Sequence, residues 1–317
     1  MTLSASTEAL EQTAPIRFSY SSPEQPVMQQ ALIRAIELVG GQRRLRKLYE
    51  QQQSARLPGE NFFDAAIRLL ALDVVYDEAA LARVPTEGPV LFIANHPYGV
   101  LDGIVLSALA LRVRSDTKIL ANEVLYRVPE TRQTLLPIDF AQTREALATN
   151  LASRRAAQAD LNAGHAIGIF PGGGVATSEK ALGRSVFDLP WHSFTAKLVR
   201  GSKATVVPVH FSGHNSRLFQ LASHLSQTLR LSLLFRETAR RIGTRLDVAI
   251  GTPIPFTELE HLTDKTDLVT ELRRRTYELA PVPGYDWRRH GRLRGDGQPV
   301  KTPSRRSDRR EPARAIY

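Results

Sequence analysis

Val90-Leu91-Phe92-Ile93-Ala94-Asn95-His96-Pro97-Tyr98-Gly99-Val100-Leu101-Asp102 is the stretch around which this chain is organised. Its first four residues form an unbroken apolar run behind Glu87-Gly88-Pro89, the mark of a strand buried on both faces. Asn-His-Pro ends that run. Pro97 removes a backbone donor and holds His96 extended, and Gly99 supplies the freedom of a tight turn. Asp102 then opens a second apolar run, Ile104 to Leu111, which suits a helix with a carboxylate at its positive end. One imidazole and one carboxylate thus fall in a strand-to-helix turn at the carboxyl end of a strand, where open α/β sheets bind ligands. Such a pair can act as a general base, with the carboxylate fixing the tautomer and stabilising the imidazolium. Taken bare, the spacing fits equally a helix-capping Asp beside a turn His.

Asn95-His96, five residues, then Asp102 resembles the first motif of the glycerolipid (lysophosphatidic-acid-type) acyltransferases, whose common form has four intervening residues. The longer Asn-His-Pro-aromatic-Gly-x-Leu-Asp-Gly, met here as Asn95 to Gly103, is similar to the branch holding proteins classed as haemolysins and the ornithine-lipid O-acyltransferases. The resemblance runs from about residue 85 to 255. It implies a single acyltransferase domain of α/β class, with a mixed central sheet flanked by helices.

Three further segments follow in the family's order. After an expected strand Ala166–Phe170 comes Pro171-Gly172-Gly173-Gly174-Val175-Ala176-Thr177-Ser178. Consecutive glycines after a strand let backbone N–H groups approach an oxyanion. No Gly-Lys-Ser/Thr follows at P-loop spacing. The loop resembles the family's third motif, commonly Phe-Pro-Glu-Gly-Thr-Arg, but Gly172 stands at the Glu position and Val175 at the Arg position. Thr177, Ser178 and Arg184 are the candidates to stand in for them. Ile138-Asp139, with Arg144 beyond, sits where the second motif binds the acceptor head group; an ordinary helix start at Thr143-Arg144-Glu145 is the alternative. Val207-Pro208-Val209 resembles the fourth motif. The resemblance makes His96 and Asp102 catalytic, and Asn95, Gly172, Gly173, Gly174, Thr177, Ser178, Arg144 and Arg184 the oxyanion- or acceptor-binding set. The reaction implied moves an acyl group from acyl-CoA or acyl-carrier protein to the hydroxyl of a lysolipid, lyso-ornithine lipid before lysophospholipid. No metal or other cofactor is required. The missing Glu and Arg also fit a non-catalytic lipid-binding relative.

The remaining sequence sets bounds. The 317 residues contain no Cys, which excludes disulfides, thiolate-bound metal and a thiol nucleophile. Net charge is +10 with a pI near 10.1, but residues 285–317 carry +6 of it. The excess is therefore concentrated in a basic segment rather than on a recognisable nucleic-acid fold, and no specific nucleic-acid partner is expected. No secretory signal and no span of 18 apolar residues is evident. The expectation is a cytoplasmic protein held peripherally on the anionic inner face of the membrane.

The expected layout is a flexible arm over 1–24, a helical region over 25–80, the α/β domain over 81–280 and a disordered basic tail over 281–317. Periodicity predicts helices over 26–39, 42–53, 62–75, 144–164, 191–200, 218–242 and 257–279, and strands over 118–121, 135–139, 204–211 and 245–251. Pro208 predicts an edge or bulge position for its strand. Arg230, Arg236, Arg240 and Arg241 predict a basic face on the 218–242 helix, either on a membrane or as solvated charge on a core helix. His210 and His214 lack the carboxylate pattern of a metal site.

Overall fold

A computed structural model describes residues 27–54, 57–126, 128–141, 143–179 and 186–281. The expected arm, the expected tail beyond Pro281, and Arg184 lie outside the described residues. The chain runs α1 (Val27–Val39), α2 (Gln42–Ser54), α3 (Phe62–Leu69), β1 (Asp73–Val75), α4 (Glu78–Ala82), β2 (Val90–Ala94), α5 (Val100–Val113), β3 (Lys118–Asn122), α6 (Glu123–Tyr126), β4 (Leu135–Ile138), α7 (Arg144–Asn162) and β5 (Ala166–Ile169). It continues through β6 (Thr177–Ser178), β7 (Val186–Phe187), α8 (Phe194–Ser202), β8 (Thr205–Phe211), α9 (Arg217–Leu225), α10 (Gln227–Arg240), β9 (Arg245–Ile250) and α11 (Lys265–Tyr277).

Seven strands form one mixed sheet in the order β1-β9-β8-β2-β5-β3-β4. Every pairing is parallel except β8 with β9. The opening stretch supplies the central strand. In β2, Val90, Phe92 and Ala94 enter a core shared with α3 and α5, while Leu91 and Ile93 enter a core shared with α7, α8 and α11. Side chains alternate across a strand, so an all-apolar strand needs a helical layer on each face. Because β2 and β5 are parallel and in register at Ile93 and Ile169, the chain leaves both at the same edge of the sheet. His96 and the glycine loop therefore emerge side by side.

Three expectations change. The helix expected over 62–75 stops at Leu69. Ala71 takes a left-handed φ of 47°, and Asp73–Val75 becomes an edge strand against Arg245–Asp247. The helix expected over 218–242 is two helices, broken where Ser226 adopts extended angles (φ −162°, ψ 134°). The last helix starts only at Lys265, after the Asp264 cap. Pro208 lies in β8, an interior strand and not an edge, but where the ladder to β9 slips by one residue between Val209–Ile250 and Val206–Ile254, so the bulge alternative describes its position. It is tolerated because Val206 bridges Ile254 and the β8–β9 ladder begins at Val209. The missing N–H falls in the gap between them.

Candidate active site

Past β2 the turn is fixed by backbone bonds. Gly99 adopts φ 84° at the N-cap of α5. Asp102, at the third helical position and fully buried, reaches back so that its Oδ2 accepts from Tyr98 N (2.7 Å) and Gly99 N (2.9 Å). This is the carboxylate half of a capping box. The same Oδ2 lies 3.0 Å from His96 Nδ1. Capping carboxylate and histidine partner are thus one group. The contact is close but not aligned as a hydrogen bond, and the other oxygen, Oδ1, has no hydrogen-bond partner among the described residues. Contacts of this kind commonly tighten only in the reacting complex. Burial raises the Asp102 pKa, opposed by the His96 contact and the two amides.

The His96 backbone is gripped on both sides. Its N–H donates to Asp188 Oδ1 at 2.9 Å, and its carbonyl accepts from Ala176 N at 2.7 Å. Its ring stacks on Phe170, centroids 4.0 Å apart. Asp188 is buried, and its Oδ2 also accepts from Trp191 Nε1 at 2.9 Å. Burial raises the Asp188 pKa.

The glycine run after Phe170 is explained by what presses on it. A Cβ on Gly172 would lie 3.0 Å from Asp188 Cβ. A Cβ on Gly173, whose φ is 67°, would lie 3.0 Å from His192 Nε2. One on Gly174 would lie 3.4 Å from an Arg230 guanidinium nitrogen. Three side chains, from the segment before α8 and from α10, close on three glycines in succession. The Gly173 N–H is taken by Phe170 O at 2.9 Å; among the described residues no hydrogen bond takes those of Gly172 and Gly174.

His96 and Gly172–Gly174 open on a cleft of about 490 Å³, also lined by Asp139, Arg154, His192 and Arg230. Behind it lies an almost wholly apolar cavity of about 130 Å³. The two share Val100, Gly103, Ala121 and Leu125 as walls. Leu234 and Val175 roof the cleft as part of a small third core with Phe219 of α9.

The other sequence candidates are elsewhere. Asn95 is buried and clamps β8: Nδ2 donates to Phe211 O (2.9 Å) and Oδ1 accepts from Phe211 N (2.7 Å). Thr177 and Ser178 form a small hairpin with β7, where the Ser178 backbone bonds Gln220 and His224; neither residue lines the cleft. Arg144 is exposed at the start of α7. The cation that α7 sends into the cleft is Arg154, seated over Phe194 at 5.2 Å. Local pattern does not single out Asp188, His192 or Arg154; the one cue is a Pro and one of the chain's two Trp shortly after Asp188, in Asp188-Leu189-Pro190-Trp191. Arg230 was marked only as one charge of a basic face.

A histidine–carboxylate pair beside a glycine loop, at the carboxyl edge of a parallel-rich α/β sheet, is an arrangement suited to general-base chemistry. The chain belongs to the acyltransferase family: the family model described as Acyltransferase matches residues 44–282, so the family's span takes in α2 and α3 as well as the sheet. Among characterised proteins it is similar to the lyso-glycine lipid O-acyltransferases of Phocaeicola vulgatus (25% identical, 62% of this chain and 70% of the relative) and Bacteroides thetaiotaomicron (26% identical, 62% and 72%). A solved structure, the 1-acyl-sn-glycerophosphate acyltransferase PlsC of Thermotoga maritima, aligns over 79% of each chain at 15% identity with a TM-score of 0.41.

Proposed function

We propose that this acyltransferase moves a fatty acyl group from an acyl-CoA or acyl-carrier-protein thioester to the hydroxyl of a lysolipid, with a lyso-amino-acid lipid of the glycine or ornithine type as acceptor. The observation that carries this reading is the His96 imidazole, turned to the cleft with its Nδ1 on buried Asp102. His96 Nε2 takes the hydroxyl proton as that oxygen attacks the thioester carbonyl carbon. Asp102 steadies the imidazolium. The tetrahedral oxyanion faces the amides of Gly172 and Gly174, Gly173's being taken. As the C–S bond breaks, the imidazolium returns its proton to the thiolate. The acyl chain extends into the apolar cavity behind Gly103 and Ala121. The acceptor class rests on the two lyso-glycine lipid relatives and on the absence of Arg at Val175.

Among the described residues no helix is long and apolar enough to cross a membrane. On α9, Leu218, Leu221 and Leu225 are 47%, 40% and 70% exposed at helical spacing, and we assign them to the membrane surface from which the lysolipid is drawn.

Thiol release tests the reading, with acyl-CoA and acyl-carrier protein as donors, lyso-glycine lipid, lyso-ornithine lipid and lysophosphatidic acid as acceptors, and His96→Ala as control. Acceptor-dependent release that vanishes in the variant is expected. Folded protein that floats with anionic liposomes yet releases no thiol would instead make the chain a non-catalytic lipid-binding relative.

A further inference from the structure

Arg230 is a half-buried guanidinium in the wall of the cleft. Its Nη2 donates to Val175 O, and its guanidinium lies over the Phe219 ring at 5.9 Å. Among the described residues no carboxylate lies within ion-pair distance of it. Its neighbours on the same stretch differ: Arg236 pairs with Glu237 at 3.1 Å, and Arg241 lies over Tyr98 at 4.4 Å and bonds His214 O. Asp139, the acidic side chain lining the cleft, accepts from Ala141 N and pairs with neither Arg230 nor Arg154. Sequestering an unpaired cation from water is costly, and an oxyanion that forks across a guanidinium recovers more of that cost than one carbonyl does. Burial already pulls the Arg230 pKa down to about 10.

We infer that Arg230 is a specificity-determining residue that binds the anionic group on the acceptor's head, so that α10 supplies from across the cleft the cation that the glycine loop lacks. This rests on the acyltransfer reading above. The placement favours the acceptor over the donor. Arg230 grips the carbonyl of Val175, and the N–H of the next residue, Ala176, grips the carbonyl of His96. The guanidinium therefore sits one peptide away from the residue that must meet the acceptor's hydroxyl. In a thioester donor the long pantetheine arm separates the reacting carbon from the nearest phosphate.

The test uses equilibrium binding in mixed micelles, which needs no turnover. N-palmitoylglycine, its methyl ester and lysophosphatidic acid are titrated into the full chain and into Arg230→Met and Arg230→Lys. The full chain should bind the free acid about 10-fold or more tighter than the ester. Arg230→Met should bind acid and ester alike, with Arg230→Lys between. The lysophosphatidic acid arm separates carboxylate from phosphate: stronger Arg230-dependent binding there would make the anion a phosphate. Where turnover is seen, the donor KM should be the same in all three proteins. A full chain that does not discriminate acid from ester, an Arg230→Met that still does, or a loss confined to the donor KM would overturn the inference. A full chain that discriminates without transferring acyl groups would uphold the site while removing the acyltransfer reading. Arg230→Lys keeps the charge, so it remains decisive if Arg230→Met melts early.

Discussion

A single oxygen of Asp102 serves two clients: Oδ2 caps α5 through Tyr98 N and Gly99 N and lies 3.0 Å from Nδ1 of His96. Asp102→Asn keeps the shape but can present an N–H to three donors. The variant should lose about 10²–10⁴-fold in the acyl-transfer rate and also melt lower, because a buried cap is damaged. His96→Ala should lose a similar factor in rate without the drop in melting temperature. Equal melting temperatures for the two variants would show that the capping role is negligible.

Asn95 carries a different prediction from the one its motif position suggests. Its amide satisfies both backbone groups of buried Phe211. Asn95→Ala leaves a buried N–H and C=O without partners and should cost about 2–4 kcal/mol in chemical denaturation. Under conditions where the variant stays folded, kcat should hardly move. A large kcat loss with unchanged stability would return Asn95 to the reaction itself.

Asp188 holds two donors, His96 N and Trp191 Nε1, each at 2.9 Å. Asp188→Asn offers one oxygen and one NH₂ to them, so one donor faces another. A shift of His96 should lower kcat by about 10–100-fold. Adding Trp191→Phe removes the competing donor and lets the Asn oxygen turn to His96. Partial recovery of kcat in the double variant, measured by thiol release, distinguishes positioning of His96 from general destabilisation.

What the sequence displayed was local. β2 and the His96–Asp102 turn lie within one unbroken stretch, so apolar run, turn residues and motif spacing all point to the same geometry. β1 escaped because Leu69 to Val75 is apolar apart from Asp73 and the break falls at Ala71, a residue that does not announce a left-handed turn. The break at Ser226 likewise has no Gly or Pro beside it. The site's second half was hidden for a topological reason. Asp188, His192 and Arg230 reach the glycine loop from segments that periodicity treats as separate. Each glycine's need for space becomes visible only once those side chains are in place.

Gly103 separates the cleft from the apolar cavity, and a Cβ there would meet only Leu125 Cδ1 at 3.9 Å. A larger side chain can therefore be accepted at the expense of the cavity. Gly103→Leu should shift donor preference towards shorter acyl chains, with a stability change within about 1–3 kcal/mol. A series of acyl-CoA lengths measures this. Unchanged length preference would place the acyl chain elsewhere.

His210 gives the chain a pH dependence separate from catalysis. It is buried, with Nδ1 unpartnered and its ring edge-on to Tyr277 at 5.8 Å. Burial pushes its pKa from 6.5 down to about 4. Between those values the unfolded chain carries a proton on this ring that the folded chain refuses, so folding is opposed as pH falls. The contribution is fully present above pH 6.5, declines from there to about pH 4, and amounts to about 3 kcal/mol. His210→Phe keeps an aromatic edge against Tyr277 and cannot titrate. The difference in unfolding free energy between variant and parent should therefore change by that amount between pH 7 and pH 4. If it stays constant over that interval, the ring is protonated in the folded chain, and the hydrophobic surroundings of β8 have opened to admit water.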